Sequence, residues 1–150
     1  MKRLHIHLAV ENLAQNIEFY STLFACQPTV QHEDYAKWML DDPRVNFAIS
    51  DRSKKFGLDH LGIQAENETE LQTIKQQLDA TQAPIKTEEG AACCYVRSDK
   101  YWVNDPQGIA WESFHSLNDI PTFNDQKVAS DNENPFACRP VENGKSSCCG

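Results

Sequence analysis

"HIHLAVEN" at residues 5–12 and "HLGIQAEN" at residues 60–67 follow one pattern: His, apolar, any, apolar, any, apolar, Glu, Asn. Alternation of this kind is the signature of a β-strand with one face turned inward. Each stretch runs into a segment with helical spacing. After the first come Leu13, Ile17, Tyr20 and Phe24; after the second come Leu71, Ile74 and Leu78. Asn12 and Asn67 stand where a helix N-cap is needed, since their side chains can accept from the first free backbone N–H groups. The repeat extends to the far ends of the two halves. "LDDPRVNFAIS" (40–50) and "VNDPQGIAWES" (103–113) each carry an Asp-Pro turn entering an apolar strand. Between helix and turn each half has room for two more strands, at 27–32 and 35–40 and at 84–89 and 96–103. The unit therefore reads βαβββ, used twice.

Composition sets the outer bounds. A chain of 150 residues, 40% hydrophobic, is long enough for one domain with one sizeable core. No apolar run approaches the length of a membrane span. The opening MKRLHIHLAV lacks the long apolar stretch and small-residue cleavage site of a secretory signal, so a cytoplasmic protein is expected. A net charge of −8 with scattered Lys and Arg disfavours nucleic acid or an anionic membrane as partner. Beyond about residue 117 the chain is rich in Asn, Asp, Pro and Ser without apolar period. The expected organisation is a domain over 1–117, with modules at about 1–52 and 56–117, followed by an extended or disordered tail over 118–150.

Aligning the halves defines four equivalent positions. The first strands supply His5 and His60; six residues past Pro106 stands Glu112, and six past Pro43 stands Ile49. If the modules pack about a pseudo-twofold axis, these four converge, three with metal-ligand chemistry and one apolar. Two imidazoles and a carboxylate on one face of a metal leave positions open for substrate and dioxygen, the arrangement associated with non-haem Fe(II). Mn, Co, Ni or Zn would also suit that donor set. Glu112 lies inside the apolar run GIAWESF, where a carboxylate is costly unless paired or bound to a cation. His7 shares the face of His5 and is its rival; only His5 matches His60 in the repeat. His32 and His115 read as surface or supporting residues.

The six cysteines do not form a secreted disulfide framework: Cys26 and Cys138 stand alone, whereas Cys93–Cys94 and Cys148–Cys149 are adjacent pairs. Adjacent cysteines are better read as thiols, because a bridge between neighbours closes a strained ring. Cys26, at the end of the first helical pattern, reads as a small buried apolar residue.

Together these features resemble the vicinal-oxygen-chelate superfamily, which includes glyoxalase I, fosfomycin-resistance proteins and extradiol dioxygenases. The resemblance covers about residues 1–116 and rests on HIHLAVENLAQNIEFYSTLF, GLDHLGI and DPQGIAWESF. It implies an α+β fold, two βαβββ modules forming a cupped mixed sheet around a metal site. "YAKWMLDDPRVNFAIS", "GAACCYVRSDKYWVNDPQG" and the Cys-bearing tail are similar to organoarsenical carbon–arsenic lyases and cadmium-induced proteins. That similarity implies an enzyme that uses Fe(II) and dioxygen to cleave trivalent organoarsenicals and release arsenite. His5, His60 and Glu112 would hold iron, and Cys93 and Cys94 would hold arsenic. Two thiolates can replace the two exchangeable ligands of such an arsenical and leave its As–C bond exposed. In a regular strand the two thiols would point to opposite faces, so a loop or turn is expected there, permitted by Gly90, Ala91 and Ala92. Arg97 or Lys100 would favour the thiolates.

Tyr95, Tyr101, Trp102 and Trp38 are candidates for the pocket wall, and Cys148 and Cys149 for an accessory capture site. Two other readings stay open: a thiol-based cadmium- or arsenite-binding protein without turnover, and a glyoxalase-type or extradiol dioxygenase activity. The protein would be a monomer or a homodimer in which modules exchange.

Overall fold

The structure, a computed structural model, describes residues 1–93, 96–119, 122–123 and 126–127. Its elements follow the duplicated unit in order. The first module comprises β1 (Arg3–Ala9), α1 (Leu13–Leu23), β2 (Val30–His32), β3 (Tyr35–Asp41) and β4 (Arg44–Ser50). The second comprises β5 (Gly57–Ala65), α2 (Glu68–Ala80), β6 (Lys86–Cys93), β7 (Val96–Asn104) and β8 (Ala110–Asp119). The short strands β9 (Thr122–Phe123) and β10 (Gln126–Lys127) pair with each other. The eight longer strands are hydrogen-bonded in the order β2-β3-β4-β1-β5-β8-β7-β6, so in each module the last strand lies beside the first. The sheet is mixed: β5 and β8 are parallel, while β3–β4, β6–β7 and β7–β8 are antiparallel. Among the described residues no helix is long and apolar enough to cross a membrane.

Both helices start where their sequence says they should. The Asn12 side chain accepts from Gln15 N and that of Asn67 from Glu70 N, each at 2.9 Å. Each bond satisfies a donor that the first helical turn would otherwise leave bare. Asp105 organises the second Asp-Pro turn: its Oδ1 accepts from Gln107 N at 2.8 Å and from Ile109 N at 2.9 Å.

Packing divides the described chain into two units, one of residues 1–5 with 60 onward and one of residues 6–59. In the latter, α1 lays Leu13, Ile17, Tyr20 and Phe24 on a core of Val10, Ala36, Trp38, Leu40, Phe47 and Ile49. The rings of Tyr20 and Phe47 lie 4.6 Å apart, within the range of favourable aromatic contact. Trp38, a candidate for the pocket wall, belongs to this core: it is fully buried and its indole Nε1 donates to the Cys26 carbonyl. Ile49 is fully buried there as well. Cys26 departs from expectation, being disulfide-bonded and only partly buried at the core's edge. A side chain's spacing along a helix cannot reveal a covalent bond.

In the other unit, α2 buries Leu71 and Ile74 with Leu78 over Ala65, Ile63 and Tyr101. The β5–β8 pairing sets Gly62 opposite Glu112, and the backbones approach so closely that a Cβ on Gly62 would overlap the Glu112 carbonyl oxygen. Gly62→Ala is therefore expected to destabilise the protein by about 1–3 kcal/mol, since a backbone atom must shift to admit the methyl group. Urea denaturation of the variant against the parent measures this.

Candidate metal centre

Three of the residues marked by the repeat come together. Alternation along β1 turns Arg3, His5 and His7 to a buried face, and β5 buries His60. On β8, Glu112 lies beside Gly62 of β5 and opposite Trp102 of β7. His5 Nε2 and His60 Nε2 stand 3.2 Å apart, and Glu112 Oε2 is 3.7 Å from the first and 3.4 Å from the second. All three side chains are buried. His7 meets Ser50, with Nε2 2.9 Å from Oγ.

Two sides of this triangle have the dimensions of a metal donor set, and the third is slightly longer. First-row ions hold imidazole nitrogen and carboxylate oxygen at about 2.0–2.2 Å, so neighbouring donors stand about 3.0–3.5 Å apart. Two ring nitrogens and an oxygen turned towards one another also set lone pairs face to face, which calls for a proton or a cation between them. The donor set fits a divalent transition metal.

The electrostatics centre on Glu112. Burial pushes its pKa up, but a hydrogen bond to His60 and the charges of Lys100, His5 and His60 outweigh that effect and hold it at about 2. Lys100 Nζ donates to Oε1 at 2.5 Å, from a buried residue. Lys100 lies opposite Phe114, one pleat repeat along β7 from Trp102, so it shares Trp102's face and reaches Glu112 diagonally. Phe114 sits beneath both partners of the site, its ring 5.3 Å from that of His5 and 5.8 Å from Lys100 Nζ.

Trp102 packs edge-on to His60, with ring centroids 5.1 Å apart, and its indole donates to Glu88 Oε2 at 3.3 Å. Lys86 foremost, and then Trp102, holds the Glu88 carboxyl below the usual range against its partial burial. Tyr101 is on the opposite face of β7 and goes elsewhere: its hydroxyl accepts from Gln72 of α2 at 3.3 Å, and Lys75 lies over its ring. It does not join the triangle.

The thiol segment is described in part. Gly90, Ala91 and Ala92 belong to β6 and form no loop. The register slips between Glu88 and Ala91, Gly90 takes φ +57°, and its N–H donates to Asp99 Oδ1 at 2.7 Å. The bulge leaves β6 to end at Cys93, opposite Val96. Cys94, Tyr95, Cys148 and Cys149, the side chains of Cys93 and Arg97, and most of the tail lie outside the described residues.

Residues 2–113 match the model of the Glyoxalase/Bleomycin resistance protein/Dioxygenase superfamily. The chain belongs to that superfamily. Across 99% of both chains it is 34% identical to a trivalent organoarsenical cleaving enzyme of Bacillus sp. (strain MD1). It is 31% identical to the cadmium-induced protein CadI of Mycobacterium tuberculosis (strain ATCC 25618 / H37Rv), over 92% of this chain and 93% of that one. Homoprotocatechuate 2,3-dioxygenase from Arthrobacter globiformis shares the fold at a TM-score of 0.57 and 14% identity, over 77% of this chain and 36% of that one.

Removing one partner of a buried ion pair strands the other charge, at a cost of about 3–5 kcal/mol. Metal-free Lys100→Met should lose stability on that scale, and adding Glu112→Gln should recover part of it. Chemical denaturation in the presence of a chelator, run as a double-mutant cycle, measures both.

Proposed function

We propose that this protein cleaves the carbon–arsenic bond of trivalent organoarsenicals, methyl or aromatic, using Fe(II) and dioxygen and releasing arsenite. The observation that carries the reading is the buried convergence of His5, His60 and Glu112. The activity named for the Bacillus relative, similar along nearly the whole chain, selects the reaction among those open to such a centre.

His5, His60 and Glu112 would hold the ion by Nε2, Nε2 and Oε2. Fe(II) bound there would supply the activation of dioxygen. Trp102 fixes the ring of His60 from one side, and the Phe114 ring packs edge-on against that of His5. Cys93 and Cys94 would bind arsenic as thiolates, exchanging two sulfurs for its two labile ligands and leaving the organic group attached. Cys93 stands at the end of β6, where the ladder closes on Val96. Cys148 and Cys149 would serve as an accessory capture pair. The domain would span 1–117 with 118–150 as tail, and the protein would act in the cytoplasm as monomer or homodimer.

The similarity to a cadmium-induced protein favours a second reading, in which the thiols sequester cadmium or arsenite without turnover. Aerobic turnover of trivalent methylarsenical by Fe(II)-loaded protein, with arsenite followed by separation and elemental detection, decides between them. Arsenite release by the parent is expected. Cys93→Ser and His60→Ala should each lower it by at least about 100-fold, beyond what loss of a supporting residue around a metal costs. Tight arsenical binding that depends on Cys93, with no release and indifference to His60, would establish sequestration.

A metal chelator should abolish turnover, and readdition of Fe(II) should restore it. Restoration by Zn(II) to the same rate would refute a role for dioxygen activation, because Zn(II) has no redox chemistry.

A further inference from the structure

The carboxylate of Glu112 is divided between two sets of neighbours. Oε2 faces the ring nitrogens of His5 and His60, at 3.7 and 3.4 Å, whereas Oε1 accepts from Lys100 Nζ at 2.5 Å. Both side chains of the pair are buried, at 5% exposure each. A lysine is a costly resident for such a place. Desolvating an ammonium group costs several kcal/mol, and an apolar side chain beside Phe114 would avoid that cost altogether. Its position is also set by the backbone. The β7–β8 register holds Trp102 opposite Glu112 and Lys100 opposite Phe114, so the ammonium reaches the carboxylate diagonally and bonds the oxygen other than the one facing the imidazoles. Turning Oε1 towards the imidazoles would break the ion pair.

We propose that Lys100 is a positioning residue that confines Glu112 to holding a metal through Oε2 alone, keeping open a coordination position that its second oxygen would otherwise fill. The inference rests on the metal-centre reading above. A carboxylate beside a divalent ion can bind through one oxygen or both, and hydrogen bonds from its neighbours orient it. Lys100 makes that choice by occupying Oε1. The position kept open is available to an exogenous ligand.

The test uses the full chain loaded with Mn(II), its bound waters counted by the broadening of the Mn(II) resonance in ¹⁷O-enriched water. A six-coordinate ion with three protein donors retains about three waters. Lys100→Met is expected to retain one fewer, and Lys100→Arg, which restores a cationic donor, the parental number. Equal counts in the parent and Lys100→Met would overturn the inference, as would an equal loss in the Met and Arg variants. Where Lys100→Met does not fold, the parent alone decides. The spacing of its carboxylate stretches in the infrared difference between loaded and metal-free protein should be the wide one of single-oxygen binding, and a narrow, two-oxygen spacing refutes the proposal. Should the parent take up no Mn(II), the metal centre itself falls and this inference with it. Uptake with unchanged water counts refutes the role of Lys100 only.

Discussion

A carboxylate inside a sheet must be neutralised, and the way Glu112 is neutralised organises everything around it. Its neighbours are a lysine on one oxygen and two imidazoles on the other. Each of these needs its own support. His60 is braced by Trp102, which is tied by its indole to Glu88. Lys100 and His5 rest against Phe114. Gly62 lets β5 close on β8 beneath the carboxylate. Ala65, Ile63 and Tyr101 pack against α2, while the other face carries the buried polar groups with Phe114 and Trp102 among them. Polar networks of this kind are costly unless nearly every member is satisfied, which is why so many side chains converge on one carboxylate.

The order of elements was legible in the sequence because period and punctuation agree at every level. The His-apolar alternation, the helical spacing behind it, the capping asparagines and the Asp-Pro turns specify the same unit twice. The three buried donors were legible for a narrower reason. Only duplication made His5, His60 and Glu112 comparable positions; taken singly, each is an ordinary polar residue on a strand.

Other features depended on information that one dimension does not hold. Lys100 sits in VRSDKYWVN, whose alternation says that Ser98, Lys100 and Trp102 share a face but not which neighbour that face meets. The register of β7 on β8 supplies the answer. Tyr101 and Trp102 looked equivalent as aromatic candidates, yet adjacent strand positions point to opposite faces, one to α2 and one to His60. A glycine such as Gly90 permits a loop or a bulge alike in sequence, and the chain uses it to place a bulge within a continuing strand. Cys26 shows the limit most plainly, since no local pattern foretells a bridge.

The fate of the fourth equivalent position has a consequence for how such a protein can change over time. Ile49 and Glu112 stand at matching places in the sequence repeat, yet Ile49 is a fully buried aliphatic packed with α1, on the face of β4 opposite the one where Ser50 meets His7, whereas Glu112 is a buried anion. Duplication has thereby separated two demands that compete within a single copy. One half can then accept substitutions that tighten packing, while its counterpart carries a costly buried polar cluster.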